Sequence, residues 1–537
     1  MSDRHRVLVI GLDGMSPEAV DRVTARGVMP VLASLCDRGA RGILRSTVPP
    51  FTCPAWPTMC TGVGPGRHGV FSFVHRPAAG QVRVTTSADL DAPRFWQLAA
   101  AAGRRAAVLY VPTMYPADEV TPLFVSGFPT PDRPNIGAVY PPEAEAALRQ
   151  RIPVFQESNV YMHARPAEGE SAEAARLRAI RDGARHEARR VTEAFAFAAR
   201  EPLDLAMAVF SFPDNAFHGA YGSVTAGDDA PPERLALRDG VDAGLREIDT
   251  AVGRLLETFG EPATVLVVSD HGFTHKCGTF YVSECLRQAG LLKPARMRYL
   301  LSRFTKRQKS EDARENYVAE DPWTDPNTDW KHTLAFPAHD HELGVFVNLK
   351  GRNPEGVVPP EEYDAVVRRV REAVLAVRDP ETGEAPVEAV TRRDELYTGP
   401  HVGRAPDLLV QPARGWHVRR KLSSRRWGKV PAQREDEGLG IHHPDGILVA
   451  AGSAVRRDAA FDRAWIGDVG ATVLALQGLS TPEPLDGRAL EEIVTFPAHP
   501  TVVEAGASGV AKADGQGAYS AEEESEVARR LEELGYL

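Results

Sequence analysis

Cysteine is scarce in this chain, with five among 537 residues: Cys36, Cys53, Cys60, Cys277 and Cys285. A sparse, odd set excludes a disulfide-built scaffold and fits a reducing compartment. Long apolar runs are missing too. The opening MSDRHRVLVIGLDG passes almost at once into a strand-like segment, so no transmembrane segment is expected and a cytoplasmic location is the expectation. Excess positive charge is also lacking. With 63 Lys+Arg against 73 Asp+Glu the net charge is −10, which excludes a general polyanion binder, so no stable nucleic-acid complex is expected. Neither a short internal repeat nor a heptad pattern occurs, which excludes solenoids and coiled coils.

What remains is an ordinary globular composition, 43% hydrophobic and 25% charged, in a chain longer than one compact core usually covers. Apolar, β-branched runs at Val7–Leu12, Ala106–Val111, Leu205–Phe212, Val265–Ser269 and Ile447–Ala451 alternate with Ala/Leu/Arg-rich helical segments. That alternation predicts an α/β fold whose strands lie between two helical layers. A catalytic domain is read over residues 1–497, with insertions at about 130–201 and 294–440. The first insertion holds a long helix with Ser171 as its N-cap. The second turns from basic (ARMRYLLSRFTKRQK) to acidic and Trp/Pro-rich (EDPWTDPNTDWK) and reads as a lid. A Gly/Ala/Ser linker covers 498–519, and 520–537 reads as a docking helix. There Ser520 and Glu523 have capping-box spacing, and Val527, Leu531 and Leu534 form one apolar stripe.

Carboxylates and imidazoles recur where strands end. Asp13 closes VLVIGLD, Asp214 and His218 follow LAMAVFSFP, and Asp270 and His271 end TVLVVSDHG. Residues four apart share a helix face, so Asp214 and His218 can grip one divalent ion; alone, the pair also fits a solvated Asp beside a packed His. The SDHG tetrapeptide aims two ligating side chains at one locus, unless Asp270 merely serves the turn. Thr52 stands ahead of a predicted helix through Pro57 to Thr61, where a hydroxyl either steadies an anion or caps the helix. His442 and His443 precede a strand, so one faces inward and the other outward.

In order, GLDG, P-x-T-x-P-x-x-x-T-x-x-TG-x-x-P-x-x-HG, D-x-x-x-H, SDHG and G-x-H-x-x-x-G resemble the type I phosphodiesterase/nucleotide pyrophosphatase family of the alkaline phosphatase superfamily. WIGDVGATVLALQGLSTPEPLDGRAL is similar to a segment shared across that superfamily. The resemblance implies a three-layer α/β/α sandwich with a mostly parallel central sheet and two divalent metal ions, zinc first and manganese second. One ion would be held by Asp13, Thr52, Asp270 and His271, the other by Asp214, His218 and His442. It further implies a small phosphorylated, nucleotide-like substrate, cleaved at a phosphodiester or pyrophosphate bond through a covalent phospho-threonine at Thr52. A phosphomonoesterase or phosphonate hydrolase with the same site is the alternative, and a non-catalytic binder of a phosphorylated ligand a further one. A sulfatase is disfavoured, because Cys53 is followed directly by Pro54 and Trp56 provides no Arg. Relatives carry an Asn after the HG dipeptide where HGVFSFVHR has Phe73; His75 and Arg76 are the polar groups nearby. The basic segment RGWHVRRKLSSRRWGKV either offers Trp416 and Trp427 for stacking on a base or, the preferred reading, is a solvated loop, and His339 and His341 are read as lid residues.

Overall fold

The structure, a computed structural model, describes residues 5–76, 82–155, 166–295, 325, 327–420, 431–434, 438–456, 459, 461–497, 499–503 and 519–533. The chain divides into two compact units. One comprises Met1–Val70, Thr85–His275 and Gly438–Ala518; the other comprises Phe71–Val84, Lys276–Glu437 and Tyr519–Leu537.

The first unit is built on a nine-stranded sheet. Its strand order is Arg463–Trp465, Ala40–Arg45, Asp445–Gly452, Thr264–Val268, Val7–Leu12, Leu205–Phe210, Ala106–Val111, Pro122–Ser126, Val139–Tyr140. The five from Thr264–Val268 to Pro122–Ser126 in this order run parallel. Asp445–Gly452 enters antiparallel between Thr264–Val268 and Ala40–Arg45. Every residue of Val7–Leu12 is buried, as expected of a central strand covered on both faces. Leu8, Ile10 and Leu12 belong to one core with the helices Pro17–Ala25, Pro30–Arg38, Ala172–Ala198 and Pro232–Phe259. On the other face, a Cβ at Gly11 would come within 2.5 Å of the Trp56 ring of helix Thr52–Thr61, so glycine there permits the close approach. That helix packs with Gly467–Leu476, completing three layers. All five parallel strands end on one edge of the sheet, where open α/β folds gather ligands.

Predicted and observed strands coincide at Val7–Leu12 and Ala106–Val111. The run from Leu205 stops at Phe210 instead of Phe212, because Phe212 and Pro213 already open the next helix, where proline's fixed φ and missing N–H suit the first turn. Ser171 caps Ala172–Ala198, its Oγ accepting the Ala174 N–H at 3.1 Å.

The second unit has an antiparallel four-stranded sheet, ordered Ala335–Pro337, Gly344–Val347, Leu408–Pro412, Val387–Arg392. Helices Val282–Gln288 and Tyr363–Leu375 pack into the same core. Buried Asp407 knits it together, accepting from Arg352 at 2.6 Å, from Tyr363 Oη at 2.8 Å and from the Val347 N–H at 2.7 Å. Ser520 and Glu523 form a reciprocal capping box ahead of helix Ala521–Glu533, with bonds of 2.8 and 3.3 Å. Its Val527 and Leu531 are fully buried and Glu524 accepts the Val84 N–H at 2.9 Å, so the helix docks on its own chain. Leu534, Trp427, residues 296–309 and most of the 498–519 segment lie outside the described residues; within the last, Thr501–Val502 pairs with Leu479–Ser480. Trp416 is 2% exposed on the strand Trp416–Arg419 with its ring against Gly278, which corrects both readings of it, as a free stacking surface and as part of a solvated loop. Arg76 is held by both carboxylate oxygens of Glu342, and His339 opens a turn with its N–H on Glu342 at 3.0 Å. Among the described residues, no helix is long and apolar enough to cross a membrane.

Candidate active site

Five places in the first unit bring the sequence-predicted side chains together. Asp13 directly follows its strand, with its N–H bonded to the Phe210 carbonyl at 2.9 Å. Gly14 then takes a φ of +71°, and its N–H reaches Asp270 Oδ1 at 3.2 Å. A Cβ here would come within 3.0 Å of Asp214 Cα and 2.7 Å of the Phe273 ring, so both backbone conformation and space require glycine. Thr52 is the first residue of helix Thr52–Thr61, whose N-cap is Phe51. Its hydroxyl is therefore not the cap and instead lies 3.3 Å from His271 Nε2. Asp214 and His218 share one face of helix Phe212–Val224, Oδ1 and Nε2 being 3.5 Å apart. Asp270 and His271 leave Thr264–Val268 with both side chains fully buried.

His442 arrives on a two-stranded ribbon, Gly272–His275 against Gly440–His443, directly opposite Phe273. Strand alternation sends neighbouring His443 elsewhere, where its Nδ1 accepts the Asp445 N–H at 3.2 Å. Of the adjacent pair, His442 is the one that lies among the other candidate residues. Its Nε2 lies 3.0 Å from His218 Nε2 and 3.3 Å from Asp214 Oδ1. His271 joins the two groups: its Nε2 is 3.3 Å from Asp270 Oδ2, 3.7 Å from Asp13 Oδ1 and 3.9 Å from Asp214 Oδ1.

Hydrogen bonding fixes which nitrogen faces the centre. His271 Nδ1 is 3.2 Å from the Gly272 carbonyl and His442 Nδ1 is 3.2 Å from the Pro50 carbonyl. A carbonyl only accepts, so each Nδ1 donates its hydrogen and each Nε2 turns a lone pair inward. Burial pushes both imidazoles down to about 4, so both are neutral near pH 7.

The carboxylates divide. Burial pushes Asp270 up to about 7. Burial, reinforced by Asp270 and Asp214, raises Asp13 well above the usual range. Burial also works against ionised Asp214, but the adjoining His218 outweighs it and holds that carboxyl below its usual value. Three buried oxygens, Asp13 Oδ1, Asp214 Oδ1 and Asp270 Oδ2, have no hydrogen-bond partner. Orphaned acceptors of that kind are costly to bury, on the order of 1–3 kcal/mol each and more when charged. Their convergence with inward lone pairs fits divalent cations. Two sets, Asp13–Asp270–His271 and Asp214–His271–His442, each bring their ligand atoms within 4.8 Å of one another.

The motifs left the supporting residues unassigned. Trp56 donates its indole N–H to Asp13 Oδ2 at 3.1 Å, and its place four residues after Thr52 on the same helix was the available signal. Phe273, two residues after His271, sets its ring 5.0 Å from His218, 5.8 Å from His271 and 5.1 Å from His442. Ser269 Oγ donates to the Met15 carbonyl and accepts the Ile447 N–H, both at 2.8 Å, tying the Asp13 and Asp270 loops to the sheet.

The family model described as type I phosphodiesterase / nucleotide pyrophosphatase matches residues 7–445. No match was found among curated proteins. Among solved structures, the chain is similar to murine ectonucleotide pyrophosphatase/phosphodiesterase 5 at 15% identity, covering 91% of this chain and 100% of that one with a TM-score of 0.47. An inactive variant of the murine protein in complex with AMP gives 14% identity over 91% and 100%, with a TM-score of 0.47. The human counterpart gives 13% identity over 90% of this chain and 97% of that chain, with a TM-score of 0.48.

Proposed function

The chain belongs to the type I phosphodiesterase / nucleotide pyrophosphatase family and is a hydrolase of that type, and from this premise we propose that it cleaves a phosphodiester or pyrophosphate bond of a small nucleotide-like substrate through a covalent phospho-threonine. The observation that carries the proposal is the meeting of the Thr52 hydroxyl, three orphaned carboxylate oxygens and inward imidazole lone pairs at one buried locus. Asp13, Asp270, His271 and Thr52 Oγ1 would hold one divalent ion, and Asp214, His218 and His442 a second. A mixed Asp/His set without thiolate suits zinc first and manganese second. Bound there, the ions supply positive charge that offsets phosphoryl oxygens and lowers the pKa of the threonine hydroxyl.

The chain's own groups do the rest. Thr52 Oγ1 bonds to phosphorus as the bond to the leaving oxygen breaks, and the threonine proton ends on the leaving group. Water then attacks the phospho-threonine, restoring the hydroxyl and releasing the second product. His271 and His442, neutral and oriented by backbone carbonyls, add no competing positive charge and keep their lone pairs inward. Trp56 holds Asp13 from behind.

The test is hydrolysis of matched aryl phosphodiester, monoester, phosphonate and sulfate substrates by the metal-reconstituted chain, with Thr52→Ala alongside. The diester is expected to lead and Thr52→Ala to lose on the order of 10³-fold or more in kcat while still binding metal. A monoester preference above about tenfold, roughly 1.4 kcal/mol, overturns the diesterase assignment, and wild-type turnover by Thr52→Ala overturns the nucleophile.

A further inference from the structure

The long helix Ala172–Ala198 reaches the site through a side chain that the mechanism above does not use. Its other inward positions are mostly apolar, including Ile180, Ala184, Val191 and Ala194, yet Glu187 is 2% exposed among them. Glu187 Oε1 accepts the Ser211 N–H at 2.8 Å and Arg190 Nη2 at 2.9 Å. Ser211 immediately precedes the helix that carries Asp214 and His218. The other end of the same peptide unit is the Phe210 carbonyl, and it accepts the Asp13 N–H at 2.9 Å.

One peptide group is thus gripped from both ends, by the backbone of Asp13 and by the Glu187 carboxylate. It also lies between the candidate ligands of the two ions. Arg190 is itself anchored, with Nη1 on the Phe155 carbonyl at 2.8 Å and its guanidinium 4.7 Å over the Tyr110 ring. An ion pair buried only for stability is generally replaceable by apolar side chains. Resting on the two-metal reading, the geometry points to Glu187 as a positioning residue: it fixes the Phe210–Ser211 peptide and thereby the spacing between Asp13 and the Asp214/His218 pair.

Zinc alone is titrated by calorimetry into the metal-stripped full-length chain and into Glu187→Gln, Glu187→Met and Glu187→Asp, with circular dichroism and a thermal melt recorded without metal. Gln keeps an acceptor at the same reach and is expected to bind both ions within about threefold of wild type, whereas Met, with no acceptor, is expected to lose about 10- to 100-fold for at least one ion. Should Met fail to fold, Asp, which keeps the charge but shortens the reach, is expected to show the same loss. A folded Met or Asp variant that binds both ions like wild type overturns the inference. A Gln variant as impaired as Met also overturns it, since charge rather than the acceptor would then be responsible. A wild-type chain that binds no zinc overturns the two-metal reading instead, and the inference with it.

Discussion

The two halves of the candidate site meet at His271 but differ in charge and in access to water. Around Thr52 stand Asp13, Asp270 and His271, none more than 3% exposed, so this half has two carboxylates to one imidazole. The other half has one carboxylate to two imidazoles, and the His218 side chain is 37% exposed. The same burial therefore has opposite results. Asp13 and Asp270, facing each other without a charged partner, are driven toward the protonated state, while Asp214, between His218 and His442, stays ionised. In the metal-free fold the Thr52 half is therefore poor in charge, whereas the histidine half keeps an ionised carboxylate.

The largest expected effect comes from removing one ligand from each half. Asp270→Asn should lower kcat/KM on an aryl phosphodiester by on the order of 10³-fold, about 4 kcal/mol, because water cannot reach the position to replace the lost oxygen. His218→Asn should cost only about 10- to 100-fold, since its half-open position lets water fill in. Steady-state kinetics with metal content measured on the same samples checks this, and equal losses in the two variants would erase the proposed asymmetry.

A smaller effect, in the same direction, concerns pH. In the metal-free fold Asp270 titrates near 7 against 3.8 for an unperturbed aspartate, so between those values the folded chain holds a proton the unfolded chain has released. Its contribution to metal-free stability is present at low pH and is lost as pH rises through about 7. His271 and His442 run the other way. Lowered from 6.5 to about 4, they leave the folded chain short of protons that the unfolded chain binds, so their contribution is present above 6.5 and is lost as pH falls through about 4. An incoming ion must displace the Asp270 proton below about 7, whereas Asp214 is already ionised there. Equilibrium dialysis should find two ions bound near about pH 8 and one near about pH 5.5. Loss of both together would show that the halves do not titrate separately.

Much of this was legible in the sequence because the chemistry sits at element boundaries. Asp13, Asp214, Asp270 and His271 follow apolar runs whose ends the hydrophobic pattern marks, and the i,i+4 spacing of Asp214 and His218 needs only a helix to bring them together. Thr52 was ambiguous, since a hydroxyl at a helix start can steady an anion or cap the helix; the position of Phe51 as the cap removes the second reading. Tertiary partners were beyond reach. Nothing in the run around Glu187 announces that its carboxylate meets Ser211, because that contact depends on how a helix lies across the sheet. The strand and the burial of Trp416 were missed for the related reason that an aromatic in a basic segment reads the same whether it lies in a solvated loop or packs against Gly278.

The finest discrimination between the halves is expected from Trp56. Its indole N–H donates to Asp13 Oδ2, and the side chain is fully buried, so Trp56→Phe removes a donor while keeping an aromatic ring in the space beside Gly11. Part of the effect is on the fold: a smaller ring leaves a void, which should lower metal-free stability by about 1–3 kcal/mol. The other part is on the site. The bond from Trp56 favours ionised Asp13, so its loss raises that carboxyl further and sharpens proton competition at the Thr52 half alone. One ion should therefore bind about three- to tenfold more weakly, corresponding to roughly 1 kcal/mol for one hydrogen bond, and more so at acidic pH than at alkaline pH. The second ion should be unaffected. Calorimetric zinc titrations at two pH values separate the contributions, because a void weakens the metal-free melt at both, whereas a change at Asp13 makes the loss of affinity depend on pH. A uniform weakening of both ions would mean that Trp56 supports the site only through packing.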